Sequence, residues 1–73
     1  MYERGMQYYQ NGEYDKAREW LKVAAKNGNG YAWLYIGNMY DKGLGVEKDG
    51  NYSSLFLDRA RKILGDGVNY PNG

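Results

Sequence analysis

Residues 31–42 read Tyr31-Ala32-Trp33-Leu34-Tyr35-Ile36-Gly37-Asn38-Met39-Tyr40-Asp41-Lys42. Trp33, Ile36, Gly37 and Tyr40 stand at i, i+3, i+4 and i+7, which is one face of a helix with a period of 3.6. A glycine on that face costs about 1 kcal/mol of helix propensity relative to alanine. Close approach of a neighbouring helix to the bare backbone would offset it. Outward from this segment the same signature stands earlier in the chain: Gly5 and Tyr8 recur as Gly37 and Tyr40, 32 positions on.

The flanking segments repeat as well. Ala17, Trp20 and Ala24 recur as Ser53, Phe56 and Ala60, 36 positions on. Two offsets differing by four describe one helical repeat with a four-residue insertion between its halves. The insertion falls in Gly43-Leu44-Gly45-Val46-Glu47-Lys48-Asp49-Gly50, against the short Asn11-Gly12-Glu13 of the first unit. Both stretches are turn chemistry, and the longer one is expected to use glycines at positive φ with Val46 plugging between helices.

The spacing predicts a helix over Tyr14 to Lys26, with Tyr14, Ala17, Leu21, Ala24 and Ala25 on one face and Trp20 at its edge. Asp15, Lys16, Arg18, Glu19, Lys22 and Lys26 cover the other face. In Tyr52 to Leu64 the apolar stripe is Phe56, Leu57, Ala60, Ile63 and Leu64, and Asp58, Arg59, Arg61 and Lys62 face solvent. A first helix over about Tyr2 to Gln10 carries a glycine and an arginine near its expected core face. Asn27-Gly28-Asn29-Gly30 closes the second helix with residues that tolerate the left-handed cap. The expected fold class is therefore all-α: an α/α superhelix of two antiparallel helix pairs, four helices in all, with an irregular C-terminal tail. Unit 1 covers about residues 1–30, unit 2 about 31–65, and residues 66–73 form a flexible tail.

Composition narrows the function classes. Seventy-three residues, 42% apolar and 26% charged with one proline, describe one small folded domain. The net charge of +1 lacks the basic excess that replaces counterions on phosphates, so no nucleic-acid partner is expected. Cysteine and histidine are absent, which removes disulfides, thiol nucleophiles and the commonest base and zinc ligand. No run approaches the ~20 apolar residues that span a bilayer, and residues 1–20 lack a signal peptide's apolar core. No membrane partner is expected, and a cytoplasmic location is.

Three motifs fail as sites of chemistry. Gly43-Leu44-Gly45-Val46 lacks the following Lys-Ser/Thr and follows a helix, so it does not read as a phosphate loop. Asp41, Gly43, Gly45, Glu47 and Asp49 alternate like a calcium loop, but glycines occupy ligand positions and the bidentate glutamate is missing. Asn51-Tyr52-Ser53 is a formal sequon that reads better as a helix N-terminus with Asn51 as cap, and Asp49 reads as a turn or helix-start residue. No two carboxylates share an apolar setting that would raise one pKa for acid–base work. Neither an enzyme nor a cofactor or metal site is expected.

Ala32, Ile36, Gly37, Tyr40, Gly43, Gly45, Val46, Asp49, Phe56 and Ala60, ending near Gly65, resemble one repeat of the Sel-one-like family, a relative of the tetratricopeptide repeat. Glu13, Lys16, Ala17, Trp20, Ala24, Ala25 and Gly28 resemble the second half of such a repeat. The first unit's short turn, from Gly5 and Tyr8 through Gly12 to Ala17, is closer to a plain tetratricopeptide unit. The second unit departs from the pattern: Tyr52-Ser53 stands where the family has Lys-Ala, Arg61 replaces the second alanine, and the closing glycine comes one residue late. The last helix would then serve as the terminal cap a solenoid needs. The resemblance implies an α/α solenoid that binds proteins or peptides as an adaptor, and it implies no chemistry.

The nine tyrosines and two tryptophans exceed what so small a core can enclose. Tyr31, Tyr35, Asn38, Asp41 and Lys42 fall off the core stripe of the third helix, as does Leu34. The matching positions of the first helix include Tyr2, Met6, Tyr9 and Gln10. Side by side they make a tyrosine-rich face with Asp41 and Lys42 at one end. Tyrosine offers large contact area with a polar tip, the chemistry of recognition surfaces. By the resemblance this is the concave groove that takes a peptide; the plainer reading is that the rings pack between neighbouring helices. The expected partner is another protein or a peptide segment. The alternatives are a homodimer through the last helix, a small stoichiometric inhibitor that covers its target's surface, and a fragment of a longer solenoid.

Overall fold

Four helices, α1 (Tyr2–Gln10), α2 (Tyr14–Lys26), α3 (Gly30–Lys42) and α4 (Gly50–Leu64), account for the secondary structure of a computed structural model that describes residues 1–65 and 67. The fold is all-α. The tail expected over residues 66–73 lies, Gly67 apart, outside the described residues. None of the four helices is long and apolar enough to cross a membrane.

Turn residues set the helix ends. Asn11 and Gly12 end α1, with Gly12 at φ +78°, and Asn27 and Gly28 end α2. The Asn29 side chain accepts a hydrogen bond from the Ala32 amide at 3.1 Å and so caps α3. Gly43 closes α3 in the left-handed conformation, and the Leu44 amide donates back to the Met39 carbonyl at 2.8 Å. At α4 the helix-start reading of Asp49 holds and the expected Asn51 cap does not. Asp49, not Asn51, accepts from the Asn51 and Tyr52 amides, so the helix starts at Gly50, two residues early. A carboxylate there also faces the positive end of the helix dipole. The long loop docks through Leu44, which packs on the core, and through Gly45, whose backbone lies against Tyr14. Val46, expected to plug between helices, is half-buried.

Close contacts define the pairing. Gly5 faces Leu21 and Lys16 sits over the Tyr8 ring, so α1 and α2 run antiparallel. Gly30 faces Ile63 and Leu64, Gly37 faces Leu57, and Tyr40 meets Tyr52, so α3 and α4 do too. Both pairs use one device. A Cβ on Gly5 would lie 2.8 Å from the Leu21 Cγ, and a Cβ on Gly37 the same distance from the Leu57 Cγ. The two glycines are 32 residues apart and the two leucines 36, as the repeat requires.

The core joins the pairs through α2 and α3: Ala17, Leu21, Ala24 and Ala25 against Ala32, Ile36 and Met39. Leu21 and Met39 are its largest fully enclosed side chains. Burial corrects several single-stripe expectations. Leu34 is 3% exposed although it falls off the expected core face, because α3 is flanked by α1, α2 and α4 at once. Ile63, expected on the apolar stripe of α4, is 48% exposed, whereas Trp33 and Tyr40 pack partly buried on the core.

Candidate functional site

α1 and α3 lie side by side and run the same way, since Tyr2 meets Tyr31 near their starts and Tyr9 meets Asn38 further along. Tyrosines fill the seam. The ring centroids follow one another from Tyr31 to Tyr2 (6.4 Å), Tyr2 to Tyr35 (6.5 Å), Tyr35 to Tyr9 (5.2 Å) and Tyr9 to Tyr14 (5.7 Å). The last two contacts are edge-to-face, the arrangement that the ring quadrupole favours. Helical spacing explains the ladder: Tyr2 and Tyr9 are seven apart on α1, Tyr31 and Tyr35 four apart on α3.

Exposure varies along the ladder. Tyr31 is 51% exposed, and Tyr2, Tyr9, Tyr14 and Tyr35 are half-buried. Burial pushes the Tyr2 phenol above its ordinary value, and the neighbouring Tyr35 and Tyr31 add to the rise. Burial also raises the Tyr9 phenol, against the Asn38 hydrogen bond that favours its anion, and Tyr14 and Tyr35 raise it further.

Of the nine expected site residues, Tyr2, Tyr9, Tyr31 and Tyr35 come together in the ladder. Asn38 does not belong to the surface. It is 5% exposed, and its amide Nδ2 donates to the Tyr9 hydroxyl at 2.6 Å, so it anchors the ladder from beneath. A buried amide needs such a partner, because desolvation without one is costly. Met6 is half-buried and packs on the core. Gln10, Asp41 and Lys42 are exposed at the C-terminal ends of α1 and α3.

Compared with known families, curated proteins and solved structures, the chain matches no family model, no curated protein and no solved structure.

The opposite side of α3 holds a feature that the helix patterns did not single out. A groove of about 190 Å³ runs between α2 and α4, with Trp33, Ile36, Tyr40 and Phe56 on its floor and walls. Arg18, Lys22 and Lys26 rim it from α2 and Arg59 from α4. Arg18, Lys22 and Lys26 recur every four residues, a cationic stripe legible in the sequence as one helix edge. Their convergence with Arg59 on an aromatic floor is tertiary. Single-helix patterns put all four on solvent faces.

Proposed function

We propose that this chain is a protein- or peptide-binding module, without catalytic chemistry of its own, that takes its partner on the tyrosine face of α1 and α3. The observation that carries the reading is the ring ladder from Tyr31 to Tyr14, which ends in a half-exposed Tyr31. Its rings hold one another in place, so little conformational freedom remains to be lost when a partner covers them. On this reading the two antiparallel pairs are two units of an α/α superhelix, and the module serves as an adaptor in the cytoplasm. Asp41, Lys42 and Gln10 form the polar rim, and Asn38 supports the face without touching the partner.

Affinity capture from the native host, followed by titration of the captured partner against variants, tests the reading. Tyr31→Ala and Tyr35→Ala should each weaken binding about 30-fold if they sit at the centre of the interface, where truncated aromatic anchors cost about 2 kcal/mol or more. Helicity should stay intact. Unchanged affinity for both variants would remove the tyrosine face from the interface.

A second reading has its own observation. Tyr52, Leu55 and Ile63 leave α4 with three large exposed apolar side chains. A second copy, or a further helix in a longer chain, would cover them. Light scattering across a concentration series separates this from a monomer: a dimer abolished by Leu55→Lys and Ile63→Lys supports self-association.

A further inference from the structure

We infer that the groove between α2 and α4 is a docking site, separate from the tyrosine face, for an acidic peptide segment that inserts one apolar side chain. Charge is the first argument. Arg18, Lys22, Lys26 and Arg59 surround one cavity, and none of them is paired with a carboxylate among the described residues. Four unpaired cations around an apolar cleft repel one another and gain from an anionic occupant. No acidic side chain lines the groove among the described residues, and Glu13 pairs with Lys16 and Asp58 with Arg61. Glu47 and Asp49 line an adjoining depression that shares Arg18 and Tyr40 with the groove. Asp49 there is engaged in capping α4. An acidic segment would therefore lie along the Arg18–Lys22–Lys26 stripe, which spans about 12 Å of helix, away from that depression.

The floor supplies the second argument. Ile36 and Phe56 meet the cavity with apolar surface, and its volume suits one or two side chains, not a folded domain. The rings also discriminate between ligands. Trp33 has one face stacked on Phe56 (5.4 Å, 18° between planes) and a cation, Arg59, over its ring at 5.0 Å. Phe56 stacks in turn on Tyr52 and touches Tyr40. A nucleobase needs an open ring face to stack on. Here Trp33 and Phe56 already stack within the chain, and an aliphatic or aromatic side chain seated against the ring edges and Ile36 fits better.

The test uses the whole chain, labelled for nuclear magnetic resonance, and a short synthetic peptide with a central leucine flanked by aspartates and glutamates. Saturable shifts of the Trp33 indole and of the Ile36 and Phe56 resonances should appear, while those of Tyr2, Tyr31 and Tyr35 hold still. The same peptide with glycine for leucine, or with lysines for its acids, should bind at least tenfold more weakly. Lys22→Glu with Lys26→Glu should cost at least tenfold in affinity and leave the circular dichroism spectrum unchanged, since both side chains are exposed. Raised salt should weaken the complex. Absence of groove shifts with the acidic peptide overturns the inference, as does equal binding of the lysine version. Tighter binding of a single-stranded oligonucleotide at the same resonances overturns it in favour of nucleic acid. Shifts there that grow with protein concentration alone overturn it in favour of a second copy. Each of these outcomes is read at the groove, so none depends on the tyrosine face.

Discussion

On one side of α3, aromatic rings meet each other; on the other, they meet cations. The tyrosine ladder has most of its contacts satisfied within the chain, including a buried amide bonded to one of its hydroxyls. The α2–α4 groove also contains rings, but it holds a cavity rimmed by four cations that pair with no carboxylate among the described residues. The same residue class therefore has two roles in one small molecule. Rings that are partners for one another stabilise the fold first and offer a surface second. Rings beneath unpaired charge gain most from a ligand. Substitutions on α3 and its neighbours should separate these roles.

The largest effect is expected at Gly37, because α3 is the wall that both regions share. Its missing Cβ lets Leu57 approach, and the Leu57 amide nitrogen would stand 3.3 Å from an added Cβ. Gly37→Leu forces α4 away, and overpacking of this kind costs about 1–3 kcal/mol or more. A domain of this size holds only about 3–5 kcal/mol in reserve. Thermal denaturation should show a Tm lowered by at least about 5 °C, or no folded baseline, and both surfaces should be lost together. An unchanged Tm would mean that the close approach of α4 to α3 is not needed.

Next in size is a change within the ladder. Tyr9→Phe keeps the ring and deletes the hydroxyl that accepts from Asn38. The Asn38 amide is then buried without a partner, at a cost of about 1–3 kcal/mol. Tyr31→Phe, at the exposed end, should stay within about 0.5 kcal/mol of the parent. Urea denaturation resolves the two. Equal values would show that the Asn38 bond contributes nothing and that the ladder is a surface alone.

The groove should respond more weakly in stability. Arg59→Ala removes a cation over Trp33 worth about 0.5–1 kcal/mol at an exposed site, and Lys22→Ala removes a charge that pairs with no carboxylate among the described residues. Lys22→Ala is expected to be neutral or slightly stabilising in the same denaturation assay, because it relieves repulsion among the rim cations. A loss above about 1 kcal/mol for Lys22→Ala would mean that the rim holds the fold together and is not a vacant recognition surface.

The helices were legible in the sequence, and the sites only in part. α1 and α2 fall where periodicity predicts them, while α3 starts one residue earlier than expected and α4 two, because Asn29 and Asp49 act as caps. Reading α3 as a stripe captured Ile36 and Gly37 but missed Leu34, Asn38 and Met39. A single stripe suits a helix with one neighbour, and α3 has three. Positions off the stripe did locate four ladder tyrosines, since the off-stripe faces of α1 and α3 meet along a common seam. Asn38 was misread as surface because an amide shows no preference for water once a phenol is in reach. The groove was invisible to helix-by-helix patterns: Arg18 and Arg59 are 41 residues apart, and only packing of α2 and α4 across α3 brings them to one cavity.

The smallest expected effect is confined to alkaline pH and to the ladder. Tyr2 and Tyr9 titrate above the ordinary phenol value of 10.0 in the folded chain, chiefly because burial penalises the phenolate. The unfolded chain gives up these protons first. Above about pH 10 the unfolded state therefore binds fewer protons than the folded one, and stability falls as pH rises. The contribution of the neutral phenols is complete below that point and is lost as pH passes through the raised folded values. Lysines titrate in the same range, so the comparison must be with a Tyr2→Phe, Tyr9→Phe variant. The parent's Tm should fall more steeply than the variant's between about pH 9 and 11. Phenolate absorbance should show two groups in the parent ionising above the ordinary phenol value, and these should be missing from the variant. Parallel Tm profiles with a single ionisation step would mean that water reaches Tyr2 and Tyr9 freely. The ladder would then be as open as the groove, and the contrast between the two sides of α3 would fail.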